Sequence, residues 1–497
     1  MTPLSFAQRR LWFLGRLEGP SATYNAPVVL HLDGTPDPAV LGAALVDLVE
    51  RHEVLRTVLP AGPDAEPRQE VREPGAVPPP EVVRCPPATW PDRVAAFVRE
   101  PVDVTAGPPL RVRLFTAPAG PDGGEGSVLV LLLHHIATDG WSVRPLLRDL
   151  DAAYRARLAG RAPAWEPLPV QYADYAVWQR ELLGDPEDPE SLAAEQLDHW
   201  RRRLEGAPAV TALPADRPRP TEPSGRGGTL TARVPVGTHR ALLALAKEHR
   251  ASLPMVVRAA LAAALAAAGS GPDLVIGTPV AGRPEEDLYE LVGFFVNTLA
   301  LRTDLSGDPS AATLLERVRD ADLAAYEHQD LPFELLVERL APERSLGHHP
   351  LFQVMLNVDG AEGTGPVALG PHLTGRPGTA DLGAAKFDLT FSCGQRVTPD
   401  GSPDGLDLAL GYAVDLFDAS TARLLLDLFT RALEGFARDA GRPLGALSLT
   451  TAEERAGLAA RHEALAAARA ATAGAPDRER GGLGKSGVRV GFIWVGA

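Results

Sequence analysis

The chain has 497 residues, 45% of them hydrophobic and 23% charged, with a formal net charge of −15. That length accommodates about two to four domain-sized units and a core that needs no disulfide framework. The acidity disfavours a nucleic-acid surface. The two cysteines, Cys85 and Cys393, form no C-x-x-C pair, which excludes a thiolate zinc site of that kind. Met1 to Gly15 is interrupted by Gln8, Arg9 and Arg10 and lacks a signal peptide's apolar core. The apolar stretches near 128–133 and 259–268 are too short to span a bilayer. The expectation is a cytoplasmic protein with no membrane or nucleic-acid partner.

Apolar residues at helical spacing (Leu41, Ala44, Leu45, Leu48, Val49) predict a helix over Val40–Arg51. Residues 60–94 are rich in Pro, Glu and Arg and read as loop. Leu110–Phe115 alternates apolar residues with Arg and reads as a strand with one solvated face, followed by a turn at Pro118–Gly126. Ser127–His134 has no polar residue between its ends, so it reads as a strand buried on both faces. After Gly140 the period changes. Val143, Leu146, Leu147, Leu150 and Tyr154 mark one face of a helix with Ser142 as its N-cap. Residues 158–170 are a Pro-rich connector, Tyr172–Leu183 a helix and 206–228 a second Pro/Gly/Arg-rich linker. A second α/β half follows, with helices near 237–249, 253–268, 310–326 and 332–340. Its strands fall near 273–278, 352–358, 387–393 and 406–414. Residues 466–497 form an Ala/Arg/Gly-rich tail that fits neither half.

The run His134-His135-Ile136-Ala137-Thr138-Asp139-Gly140 therefore joins a buried strand to a helix. Histidine's unperturbed pKa lies near neutrality, so a histidine at the mouth of a buried strand suits proton handling. Neighbours on a strand point to opposite faces. His135 is accordingly assigned the chemical role and His134 a structural one. Gly140 lets backbone or substrate come close. Asp139 pairs with His135 or with an arginine. Arg283, in Gly277-Thr278-Pro279-Val280-Ala281-Gly282-Arg283-Pro284, is the arginine favoured.

The pair His348-His349 precedes Pro350 without an Asp-Gly and reads as loop. Gly484-Lys485-Ser486 resembles the end of a phosphate loop, but Glu479 stands where its first glycine is required. Gly482, Gly484 and Gly487 match G-x-G-x-x-G with no preceding strand. No metal-ligand spacing and no G-x-S-x-G elbow is present.

Seven ordered segments resemble the motifs of condensation domains from nonribosomal peptide synthetases. They are Ser5–Leu14 (SFAQRRLWFL), Arg51–Thr57 (RHEVLRT), His134–Ser142 (H-H-x-x-x-D-G-W-S) and Tyr172–Trp178 (YADYAVW). The remaining three are Val292–Thr298 with Arg302, His328–Glu334, and Arg344–Gln353. The match covers about residues 1–450, and 451–465 resembles the start of a linker to an adenylation domain. The resemblance implies an α/β (α+β) fold of two chloramphenicol-acetyltransferase-like lobes forming a V with a central tunnel. The expected division is 1–170, 171–450 and a linker and tail over 451–497.

The resemblance further implies amide-bond formation in bacterial secondary-metabolite or antibiotic biosynthesis. An acceptor aminoacyl amine attacks a donor acyl thioester. Both substrates ride on the 4′-phosphopantetheine arms of carrier proteins, and no cofactor is bound by the domain itself. It places His135 in the tunnel and pairs Asp139 with an arginine matching Arg283. For that reaction, backbone N–H groups near Gly140 and the helix start at Ser142 are candidate oxyanion donors, and Trp141, Ser142 and Asn297 are candidate tunnel or oxyanion residues. Donor and acceptor peptidyl carrier proteins and an adjacent adenylation domain are the implied partners, with the chain a piece of a larger synthetase. His-His-Ile-Ala-Thr-Asp-Gly-Trp-Ser and the Arg-Ser-Leu before the last motif resemble the subtype that takes a D-configured donor. The rival readings are an epimerisation domain, a small-molecule acyltransferase on the same lobes, and a non-catalytic condensation-like domain that recruits an oxygenase. A heterocyclisation domain, with aspartates for the histidine pair, is disfavoured.

Overall fold

A computed structural model describes residues 2–19, 21–61, 66–118, 126–340, 347–360 and 365–473. Both glycine motifs of the tail, and Arg344 and Ser345 of the seventh segment, lie outside the described residues. The chain separates into two compact units. The first comprises residues 1–195, 280–297 and 362–382, and the second comprises 196–279, 298–361 and 383–497.

The first unit is built on the continuous apolar run Ser127–His134, all eight residues of which are buried. It lies inside a six-stranded sheet ordered Val367–Leu369, Leu373–Gly378, Asn25–Leu32, Ser127–His134, Leu110–Thr116, Glu81–Arg84. Pairing with Asn25–Leu32 is antiparallel and sets Asn25 opposite His134, so the strand's last residue is at the sheet's end. Helix Val143–Leu158 covers this unit together with helix Pro38–Arg51. Their junction is ionic. Asp149 accepts from Arg51 Nε at 2.8 Å and from His52 Nε2 at 2.9 Å. Burial holds His52 below the ordinary histidine range, against the pull of Asp149. The RHEVLRT segment is therefore part of the scaffold: Arg56 reaches the Val49 carbonyl and pairs with Glu53.

The second unit carries a six-stranded sheet ordered Asn297–Asp304, Asp273–Val280, Val354–Asp359, Leu389–Val397, Pro403–Ala413, Gly227–Val234. Helix Leu253–Leu265 runs through its core with every residue but Pro254 buried. Its alanines bring it close to helix Ala419–Arg438, and its one cation, Arg258, is paired with Asp322. The run Leu253–Ser270 is long and apolar enough to cross a membrane, but 78% of it is buried within the protein. Burial pushes the Cys393 thiol up to about 12, which makes it a core residue, not a nucleophile. His349 is also a core residue here, 2% exposed among Phe333, Phe352 and Phe387.

The lobe boundaries expected at 170 and 450 are displaced. Helix Tyr172–Leu183 belongs to the first unit because Arg180 holds the Leu4 carbonyl and Tyr172 meets Ser5. Two later segments return to that unit. Residues 280–297 bring Arg283 to Asp139, and strand Leu373–Gly378 pairs with Asn25–Leu32. Residues 451–465 and the first part of the tail form one helix, Ala452–Ala473, packed on the second unit through Arg461–Asp216 and His462 against the Ala268 carbonyl. The segment 60–94 is not all loop. It holds strands Arg68–Val71 and Glu81–Arg84, and helix Trp90–Val98 starts on Pro91. Glu81–Arg84 is a solvent-facing edge strand, so its charged side chains hid it from a hydrophobic-pattern reading.

Helix Ala452–Ala473 is anchored at its start by Glu454. Its bond from Arg431, 2.8 Å away, and the Thr451 N–H hold its carboxyl down at about 2. A depressed carboxyl contributes stability that is complete above the unfolded value and is lost as pH falls through the folded one. The stability gap between wild type and Glu454→Gln is therefore expected at pH 7 and should shrink between about pH 4.5 and 2. Thermal melts across that range check it, and the gap should also narrow with salt.

Candidate active site

The site grows from the end of the buried strand. The His134 N–H donates to the Pro109 carbonyl at 2.9 Å, which ends the ladder. The next residue leaves the strand. The His135 N–H donates to the Tyr24 carbonyl at 2.7 Å, and His135–Ala137 forms one turn of 3₁₀ helix. His134 is buried and its Nδ1 accepts the Ile136 N–H at 3.1 Å, so that ring serves the turn itself. His135 is half-buried. Its Nδ1 lies 2.8 Å from the Thr138 carbonyl. A carbonyl only accepts, so Nδ1 carries the proton and the neutral ring keeps its lone pair on Nε2. The Phe294 ring meets the imidazole edge-on, centroids 4.9 Å apart.

Asp139 is 3% exposed, and five donor contacts surround its carboxylate. Oδ2 accepts from Arg283 Nη1 and from the Phe295 N–H, both at 2.9 Å. Oδ1 accepts from Arg283 Nη2 at 3.0 Å, the Ser142 N–H at 2.9 Å and the Ser142 hydroxyl at 2.8 Å. Asp139 thus pairs with Arg283 and not with His135. The fork-on-carboxylate geometry is the strong bidentate form. Arg283 also lies over the Phe295 ring at 4.2 Å. Asp139 fixes where Gly140 and the following helix begin.

Two expectations for the turn are refined. Ser142 stands at the N-cap position of helix Val143–Leu158, but its backbone is already helical and its side chain makes no capping bond, while Asp139 caps the short turn Gly140–Ser142. Nor is Ser142 an oxyanion donor. It is fully buried, its N–H goes to Asp139, and its hydroxyl is enclosed by Asp139, Arg283 and the Gly293 backbone. Gly140 is exposed, has no positive φ, and an added Cβ there would meet nothing within 4 Å. Among the described residues, nothing requires a glycine at that point. Trp141 is 46% exposed, and Asn297 is half-buried at the start of strand Asn297–Asp304.

The segment 280–297 is shaped by two glycines. Gly282 has φ +63°, and a Cβ there would fall 1.9 Å from the Phe295 carbonyl oxygen. Gly293 lies against Tyr172, whose ring would be 2.2 Å from an added Cβ. Gly282→Ala is expected to cost roughly 1–3 kcal/mol, because it adds left-handed strain to a steric conflict. Urea unfolding of the variant measures this.

Residues that the sequence offered only as members of motif segments complete the arrangement. Tyr172 donates to the Phe294 carbonyl at 2.6 Å and meets the Ser5 hydroxyl at 2.8 Å. Gln8 reaches the Ile136 carbonyl at 3.4 Å. Ser5 and Gln8 form a reciprocal cap on helix Phe6–Glu18. The spacing Ser5-x-x-Gln8 is the signal that would have found this helix start. Among the described residues, no three metal-ligating side chains converge.

Two six-stranded α/β units, with a histidine leaving a buried strand beside a carboxylate–guanidinium lock, define the chloramphenicol-acetyltransferase-like class. A family model, Condensation domain, matches residues 1–459. The chain is 47% identical over 459 residues to the dimodular nonribosomal peptide synthase of Bacillus subtilis (strain 168), covering 92% of this chain and 19% of that protein. It is 44% identical over 466 residues to the isonitrile lipopeptide synthase of Mycobacterium tuberculosis, covering 92% of this chain and 18% of that protein. The chain belongs to the condensation domains of nonribosomal peptide synthetases. It spans about a fifth of the length of those two relatives.

Among solved structures it is similar to the X-domain from teicoplanin biosynthesis, with a TM-score of 0.81 at 38% identity over 89% of this chain and 96% of that one. It shares its fold with the first condensation domain of the calcium-dependent antibiotic synthetase in complex with a substrate analogue, at a TM-score of 0.74 and 21% identity over 90% and 99% of the two chains.

Proposed function

We propose that this chain catalyses peptide-bond formation between two carrier-bound thioesters, with His135 as the group that handles the amine proton. The observation that carries the reading is the Nδ1 contact to the Thr138 carbonyl, which orients the imidazole with its lone pair on Nε2. The neutral α-amine of the acceptor attacks the donor thioester carbonyl. A C–N bond forms, the C–S bond breaks, the amine's proton passes by way of His135 Nε2, and the donor carrier is left as a free thiol. A free α-amine has a pKa of about 7.7–8.0. An appreciable fraction is neutral near pH 7, so His135 acts as a modest base and an orienting group. Holding the two thioesters in line supplies much of the remaining acceleration.

His134, Asp139 and Arg283 support the turn and do not touch substrate. The partners are a donor and an acceptor peptidyl carrier protein, each presenting a 4′-phosphopantetheine arm, within a synthetase that also holds an adenylation domain. The dimodular relative, of which this chain covers 19%, supports this assembly. The reading places the site in the cytoplasm.

A second reading is favoured by the 38% identity to an X-domain, a domain whose structure is also solved in a complex with OxyB from the same biosynthesis. In that reading the chain recruits a tailoring enzyme to a carrier-bound peptide. One experiment separates the readings. The protein is mixed with donor-loaded and acceptor-loaded carriers, with the donor in both L and D configurations, and dipeptidyl thioester is sought by mass spectrometry. Its formation supports condensation. Deuterium washout from an acceptor-loaded carrier alone indicates epimerisation. Neither product, with binding to an oxygenase, supports recruitment.

A further inference from the structure

Tyr172 has no place in the reaction above, yet it is 1% exposed and its phenol group is committed on both sides. The carbonyl of Phe294 only accepts, so the Tyr172 hydroxyl donates to it at 2.6 Å. That leaves the Ser5 hydroxyl to donate to Tyr172 at 2.8 Å, while Ser5 Oγ itself accepts the Gln8 N–H at 3.1 Å. The result is a one-directional chain, Gln8 N–H to Ser5 to Tyr172 to the Phe294 carbonyl, in which each bond polarises the next. Burial raises the Tyr172 phenol well above its ordinary value, so the donor stays protonated at every working pH.

The chain ends on the residue whose ring buttresses His135, 4.9 Å away and tilted by 64°. The same cap reaches the residue after His135, where Gln8 Nε2 holds the Ile136 carbonyl at 3.4 Å. Gly293 and Phe295, on either side of Phe294, are tied separately to Ser142 and Asp139. The Phe294 carbonyl itself is held, among the described residues, by the Tyr172 bond.

We infer that Tyr172 is a positioning residue that sets the reach of the His135 imidazole by clamping the Phe294 backbone. The inference rests on the assignment of His135 made above. Tyr172→Phe keeps the ring that packs on Phe295 at 4.9 Å and on Gly293, and removes only the donor. Its condensation kcat is expected to fall about tenfold, since sub-ångström misplacement of a reacting group is costly, with KM within about twofold. Phe294→Leu should lower kcat similarly, and the double variant should fall no further than the worse single one.

The ¹⁵N resonances of the His135 imidazole should shift in both single variants. A Tyr172→Phe protein that melts lower but keeps wild-type kcat and wild-type His135 resonances overturns the inference. So does a double variant whose losses multiply. If Tyr172→Phe does not fold, 3-fluorotyrosine at position 172, which keeps the ring and hydroxyl and changes only the donor strength, gives the same readouts, and wild-type kcat with wild-type His135 resonances then overturns the inference. If wild type forms no amide from loaded carriers, the proposed function fails, and the resonance shift still decides whether Tyr172 governs the ring.

Discussion

His135→Ala is expected to lower amide formation by about 10²–10⁴-fold, the range over which a positioned acid–base group contributes, with little effect on folding. The ring is half-buried and its Nδ1 hydrogen-bonds the Thr138 carbonyl. Carrier-bound dipeptide measured at single turnover, beside a melting curve, separates the two effects. His134→Ala should show the opposite pattern. Its Nδ1 holds the Ile136 N–H inside the protein, so stability drops before chemistry is reached. Wild-type yield from His135→Ala on its own substrates would remove the imidazole from the reaction.

Arg283→Ala should be the most destabilising single change at the site, by about 3–5 kcal/mol, because it leaves a buried carboxylate without its counter-charge. Asp139 is 3% exposed and Arg283 8%, and the pair joins residues 144 apart in sequence. Removing the guanidinium also frees the segment Leu291–Phe295, whose backbone meets the same cluster at the Leu291 carbonyl, Gly293 and the Phe295 N–H. Activity should fall with stability, since Phe294 lies in that segment and meets His135. Adding Asp139→Asn to Arg283→Ala should recover part of the stability, because no bare charge then remains. Urea unfolding of the two single variants and the double decides this. An Arg283→Ala protein within 1 kcal/mol of wild type, on the scale of an exposed ion pair, would reduce the pair to a surface contact in energetic terms.

The strand carrying the motif was legible because it is buried on both faces and so reads as one apolar run. Helix Val143–Leu158 was legible from its period. Edge strand Glu81–Arg84 was not, since its side chains face water. Strand Leu373–Gly378 carries glycine, arginine and proline and owes its conformation to pairing with Asn25–Leu32. Helix Phe6–Glu18 was announced by Ser5 and Gln8 and still passed over. Asp139 and Arg283 could be matched from sequence as opposite charges that must meet if both are buried. The five contacts on the carboxylate could not, because three of them come from a segment about 150 residues away.

Ser142 shows the limit from the other side. Its type and place fit a helix cap or an oxyanion donor, and its neighbours decided otherwise.

Local sequence determined the histidine pair, the strand that delivers it and the helix that follows, because burial and period are properties of consecutive residues. Tertiary structure alone decided the His135 tautomer, the closure of the Asp139–Arg283 lock and the seating of Phe294 against the imidazole. Each of these depends on a group brought in from far along the chain, or on which backbone oxygen a turn happens to present, and neither leaves a mark in the order of residues.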